Sequence, residues 1–124
     1  MEVYKLEYQD GNGDLDRRKA LDDTIAHFNS TNRSENERGS CRYRGPNGLR
    51  CAVARLVTDE MLDKLEENST PNDYKEFGGD SGFLEALQGL HDGSQYWDAE
   101  GLSRIGEEDA QHIRDTYDLG GADA

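Results

Sequence analysis

The stretch CRYRGPNGLRCAVARLVTDEM, residues 41 to 61, gathers the groups of this chain best suited to chemistry: both cysteines, a Gly-Pro-Asn-Gly turn signal, and Arg42, Arg44, Arg50 and Arg55. Arginine's planar fork grips phosphate or carboxylate through two parallel hydrogen bonds, so arginines on a tight turn suit an anion. Residues 31 to 57 hold six arginines against two glutamates, a local charge of +4, while the other 97 residues carry −17. A basic island on an acidic chain is a focused positive field. Arg42, Arg44, Arg50 and Arg55 are therefore the expected ligand-binding residues. The competing reading is that they pair with the carboxylates around them.

Cys41, Tyr43 and Cys51 are expected to form the structural core of the same motif. Two cysteines do not make a disulfide framework, and both are expected reduced and buried. The spacing Cys-x9-Cys lacks the close pair of a zinc finger, and His27, His91 and His112 fall on three separate elements. No metal or cofactor is expected. A Cys41 or Cys51 nucleophile would need a nearby histidine, and no HExxH, GxSxG, Walker A or GxGxxG pattern occurs, so nothing at motif level argues for an enzyme. DGNGDLD at 10 to 16 imitates a calcium loop through Asp10, Asn12 and Asp14. Its sixth position is Leu15 instead of glycine and its twelfth is Leu21 instead of glutamate, so an Asp-rich turn is the better account. The N-x-S/T triplets at Asn29, Asn32 and Asn68 are coincidences of polar loops.

Two local geometries could present the arginines. In a hairpin, Gly45-Pro46-Asn47 forms the loop, Gly48 takes a left-handed bulge position, and Cys41 faces Cys51 while Tyr43 faces Leu49. Arg42, Arg44 and Arg50 then share the exposed face. In the other geometry, Gly45 to Gly48 turns into a helix, because Leu49, Ala52, Val53 and Leu56 follow the i, i+3, i+4, i+7 rule. That helix would add the N–H groups of its N-terminus to an anion site. Turn-then-helix is preferred, since the hairpin would point Arg55 into the core.

The elements that must position this stretch are short. Residues 2 to 9 alternate, with Tyr4, Leu6 and Tyr8 on one face, as a half-buried strand would. From Asp16 to Asn29, Leu21, Ile25 and Phe28 recur at helical spacing, with Arg17, Arg18, Asp22 and Asp23 mostly outward. Residues 29 to 40 contain no apolar residue and read as a solvated loop. Thr58 suits an N-cap, with Asp59 and Glu60 in the first turn of a helix to about Glu67. After the loop NSTPNDYKEFGGDSG, Phe83, Leu84, Leu87 and Leu90 mark another helix. Trp97, Leu102, Ile105, Ile113 and Tyr117 fit a last helical region, with a break expected at Gly106.

The expected fold class is α+β, mainly helical: a small single domain over residues 1 to 118, with a short N-terminal strand or hairpin, about four helices, and a flexible tail at 119 to 124. No run approaches the eighteen or so apolar residues of a membrane span, and no signal-peptide pattern opens the chain, so a soluble protein of the host cytoplasm is expected. Asp plus Glu is 27 against 14 Lys plus Arg, for a net charge of −13, and only 4 of the 14 cations are lysine. At molar salt the Debye length falls to about 3 Å and the self-repulsion of such a surface is screened. The pattern is similar to that of proteins from salt-in halophiles, haloarchaea and their viruses. It also argues against general nucleic-acid binding, which needs a basic footprint.

Cys41-Arg-Tyr-Arg-Gly-Pro-Asn-Gly-Leu-Arg-Cys-Ala-Val, followed by Leu56-Val57-Thr58-Asp59-Glu60-Met61, resembles the central motif of a family of small uncharacterised proteins encoded in phages, prophages and some bacterial genomes. The downstream Leu87-Gln88-Gly89-Leu90-His91-Asp92 and Trp97 match its further Leu-Gln-x-x-His-Asp and Trp. The likeness covers roughly residues 18 to 117, with Ala54 in place of a family glycine, Thr58 in place of proline and Met61 in place of an aromatic. It implies a viral or mobile-element setting and a compact helical core, and supplies no mechanism. The expected function is non-enzymatic binding of an anionic ligand or acidic partner through the arginine-bearing turn, in host takeover or anti-defence. The alternative is a virion component (neck, tail or capsid-associated) acting through protein–protein contacts.

Overall fold

A computed structural model describes residues 2–31, 51–66 and 69–119. Its centre is the helix α4, Ser81–Asp92, whose Phe83, Leu84, Leu87 and Leu90 are all fully buried. The stripe predicted from their spacing is the floor of the core. Against it pack α1 (Arg17–His27), α2 (Ala52–Leu56), α5 (Arg104–Thr116) and the 3-10 turns Pro71–Asp73, Lys75–Asp80 and Ser94–Tyr96. A further helix, α3 (Asp59–Lys64), follows α2 after a single extended corner. The small antiparallel pair β1 (Trp97–Asp98) and β2 (Gly101–Leu102) completes a small, mainly helical α+β domain.

Local signals account for the helix starts. Asp16 accepts a hydrogen bond from the Lys19 N–H at the head of α1, Thr58 from Met61 N–H at α3, and Ser103 from Gly106 N–H at α5. α3 ends at Lys64, three residues earlier than its sequence suggests. In DGNGD, Asp10 Oδ1 accepts from the N–H groups of Asn12 (2.7 Å) and Asp14 (3.1 Å), and Gly13 takes φ +84°. The aspartate thus closes an Asx-type turn on its own backbone.

Three expectations are corrected. The N-terminal segment is no strand: Tyr4 makes one isolated bridge to Val57, and Leu6–Tyr8 then coils into a 3-10 turn. Tyr4 and Tyr8 are buried as expected, but Leu6 between them is 74% exposed, because the turn breaks the alternation and aims it at solvent. The outward face of α1 is also not free. Arg17 reaches Asp80 (2.8 Å), Asp22 receives Arg114 (3.1 Å) from α5, and Asp23 receives Arg55 (2.6 Å) from α2. The four side chains stay half-exposed, as an outward face would be, but charged groups of neighbouring elements reach three of them and make ties across the fold.

The third correction concerns the C-terminal region. Trp97 and Leu102 lie in the β pair, and α5 runs unbroken through Gly106. Gly106 is where α5 meets the preceding turn: a Cβ there would stand 2.1 Å from the Tyr96 carbonyl oxygen and 2.8 Å from Leu102 Cδ2. Alanine is the better helix former by about 1 kcal/mol. Gly106→Ala should nonetheless destabilise the protein, by roughly 1–3 kcal/mol of overpacking, read as a lower urea midpoint; an unchanged or higher midpoint would contradict the contact.

Candidate functional site

The chain enters the described core beyond the arginine stretch at Cys51, the N-cap residue of α2. Cys51 is a fully buried free thiol, and Ala52, Val53, Ala54 and Leu56 are fully buried as well. Residues 52 to 56 are therefore helix, as the i, i+3, i+4, i+7 pattern predicted. Cys41, Arg42, Tyr43, Arg44 and Arg50 lie outside the described residues, and so does the choice between hairpin and turn before Cys51.

Of the four arginines expected to bind a ligand, Arg55 lies among the described residues. Its Nη1 donates to Asp23 Oδ2, and its guanidinium lies 5.6 Å from the centre of the Phe28 ring. Asp23 Oδ2 also accepts from the Tyr8 hydroxyl at 2.7 Å. Burial pushes the Asp23 carboxyl up, but the Tyr8 hydrogen bond and the Arg55 contact outweigh it and hold the carboxyl below its usual range. The Tyr8 hydroxyl is pushed up to about 12, first by burial and then by its bond to Asp23. One carboxylate thus joins the N-terminal segment, α1 and α2.

Gln88, His91 and Asp92, on α4, form a second polar group against α2. Gln88 is buried, its Oε1 accepts from Val53 N–H at 3.3 Å, and its Nε2 donates to Asp92 Oδ1 at 3.1 Å. His91, fully buried, lies with Nδ1 3.0 Å from the same Asp92 oxygen. A carboxylate only accepts, so the proton of that bond is on Nδ1. The Phe28 ring stands edge-on to His91 at 4.7 Å, and Trp97 Nε1 donates to Leu90 O at 2.8 Å. Two residues 35 positions apart in the sequence thus meet at the Val53–Gln88 hydrogen bond. The sequence presented His91 as a discounted metal ligand and Gln88 and Asp92 only as a likeness; the polar i, i+3, i+4 set on an apolar helix was the available signal.

The same contact limits one chemical expectation. α2 has only five residues, and its Val53 N–H already has a protein acceptor. That N–H is therefore not available to an anion, and the turn expected before the helix lies outside the described residues.

Two surface clefts are lined entirely by described residues. One, of about 250 Å³, is lined by Ser69, Thr70, Pro71, Glu85, Gln88, Gly89 and Asp92. The other, of about 480 Å³, lies between the N-terminal segment and the 76–80 loop, with Glu2, Asp14, Glu76 and Asp80 among its lining residues. In that loop Gly78 takes φ +52°, and Asp80 holds both Arg17 and the Tyr4 hydroxyl, which burial and Asp80 push far above its ordinary range. Among the described residues no group of three or more His, Cys, Asp and Glu side chains is arranged to hold a metal. No described helix is long and apolar enough to cross a membrane.

Comparison with family models, with curated proteins and with solved structures finds no match to this chain.

The Asp23–Arg55 tie has a pH signature. His27 is held below its ordinary value of 6.5, first by burial and then by the nearby Arg55 charge. A lowered folded-state pKa means that the unfolded chain takes up the proton first, so the His27 contribution is complete above about pH 6.5 and is lost as pH falls through the folded-state value. The Asp23 contribution, also from a lowered value, is lost at more acidic pH. Urea midpoints should therefore fall between pH 7.5 and pH 5.5, and His27→Gln should flatten that fall. A midpoint that rises on acidification over this window would refute the assignment.

Proposed function

We propose that this protein is a non-enzymatic binding protein of a viral or proviral, salt-adapted setting, acting in the host cytoplasm. It holds an anionic ligand or an acidic partner through Arg42, Arg44 and Arg50 on the stretch that leads into α2. The observation that carries this reading is the disposition of arginine. Arg17, Arg18, Arg55, Arg104 and Arg114 each lie within ion-pair distance of a carboxylate. These are all the described arginines: Arg17, Arg55 and Arg114 tie separate elements together, and Arg18 and Arg104 lie beside a carboxylate of their own helix. The other five of the chain's ten fall between residues 33 and 50, with only Glu35 and Glu37 among them. That stretch is joined at Cys51 to a helix seated in the core, which suits a contact surface that must keep its position. The likeness of the motif to phage-encoded proteins supports the viral setting, and the acidic composition supports the saline one.

A thermal-shift panel of nucleotides, inorganic phosphate and inorganic pyrophosphate tests the anion reading. Stabilisation by at least one anion is expected, and it should vanish in the Arg42→Ala/Arg44→Ala double variant; no shift across the panel would sink the idea. Independently, the unfolding temperature should climb as KCl is raised to molar concentration, because screening relieves the repulsion of a −13 chain. Loss of structure at molar KCl would remove the halophile assignment.

A further inference from the structure

We propose that the cleft over Gly89 of α4 is a binding site for a linear aliphatic diamine. The glycine itself is the first observation. α4 carries the core, and Gly89 stands exposed in its last turn. Glycine is a poorer helix former than alanine, so its presence there calls for a reason. At Gly106 the reason is contact, since a Cβ would strike the Tyr96 carbonyl. At Gly89 a Cβ would meet no described atom within 4 Å. What a side chain would fill there is the cleft of about 250 Å³ that Gly89 lines.

The other lining residues decide what the cleft suits. Glu85, Gln88, Gly89 and Asp92 fall at i, i+3, i+4 and i+7, on one face of the helix. The two carboxylates therefore flank the glycine, their Cα atoms about 10 Å apart along the axis. Pro71, on the turn that packs against α4, adds apolar surface, and the lining holds no cation. An ammonium at each end with methylenes between them matches that order of acid, glycine, acid. Asp92 Oδ1 accepts from Gln88 Nε2 at 3.1 Å and lies 3.0 Å from His91 Nδ1, which fixes the carboxylate in place. Asp92 is also the last residue of α4, where a negative charge opposes the helix dipole and a bound ammonium relieves it. Glu85 is half-buried and makes no hydrogen bond or ion pair with a described residue. A metal ion gathers its oxygen ligands within about 2.6 Å. The described acids form no such group, so the spacing suits an elongated organic cation.

Diaminobutane is the probe, titrated by calorimetry in the lowest KCl concentration that preserves the helical circular dichroism, because salt screens exposed charges. Saturable binding of one molecule is expected. Butylamine, with a single ammonium, should bind about tenfold more weakly, as should diaminobutane to Glu85→Gln, each losing one charge-assisted contact. Gly89→Leu should abolish binding yet raise the urea midpoint, because leucine favours helix and fills open space. That pairing separates an occluded site from an unfolded protein. Magnesium chloride at the same concentration should not displace the diamine, since methylenes as well as charge hold it. No saturable binding to the parent overturns the proposal, and so does retained affinity in Gly89→Leu or Glu85→Gln. Equal affinity for butylamine, or displacement by magnesium, reduces the cleft to a patch of negative charge and overturns it as well. A lower urea midpoint for Gly89→Leu removes the open space on which the site depends. None of these outcomes turns on whether an anion binds the arginine-bearing stretch.

Discussion

A chain that is one third apolar and one third charged has few residues with which to build a core, and α4 concentrates them. Four large apolar side chains on one twelve-residue helix are fully buried, and each contributes roughly 1.5–3 kcal/mol. A capping bond contributes about 1 kcal/mol, and an exposed ion pair less. The arrangement of everything else follows from that difference in scale. α1, α2, α5 and the 3-10 turns pack against α4, and their own buried side chains, Leu21, Val53 and Leu56 among them, complete the core.

Covering one helix with short pieces leaves many polar groups at the joints, and these are matched in pairs that cross between elements. Asp23 takes Tyr8 and Arg55, Asp22 takes Arg114, Asp80 takes Tyr4 and Arg17, and Gln88 takes Val53. None of these ties is strong enough to drive folding alone. Each is directional, and together they select one register for elements that apolar packing alone would leave free to slide. Asp23, Asp80 and Gln88 each serve two partners, so their loss would be felt by more than one element.

The helices were legible where apolar spacing and caps agreed. Leu21 in α1 and Phe28 just past its end, the four apolar residues of α4, Thr58 before α3, and Ala52, Val53 and Leu56 in α2 all sit as their pattern predicts. The 2–9 segment misled because alternation over so few residues also fits a chain that bends back. Leu6 shows the cost, since a 3-10 turn exposes what a strand would have buried. Trp97 and Leu102 misled in the same way: four paired residues are too few to carry a period of two. Of the candidate site, the arginine excess and the buried Cys51 were visible in the sequence. The partner of Arg55 was not, because Asp23 is thirty-two positions away and many carboxylates compete for the same role.

The sequence by itself determined the charge balance of this protein, the concentration of arginine before residue 56, and the apolar stripes that make helices α1, α2 and α4. Those properties are local: they depend on residue types and on spacing within one or two turns. Only the tertiary structure decided that Gln88 meets Val53, that Arg55 is held by Asp23, and that Gly106 is a point of close approach instead of a break. Each depends on which elements stack on α4 and in what register. That is set by the packing of side chains far apart in the chain, and no local pattern encodes it.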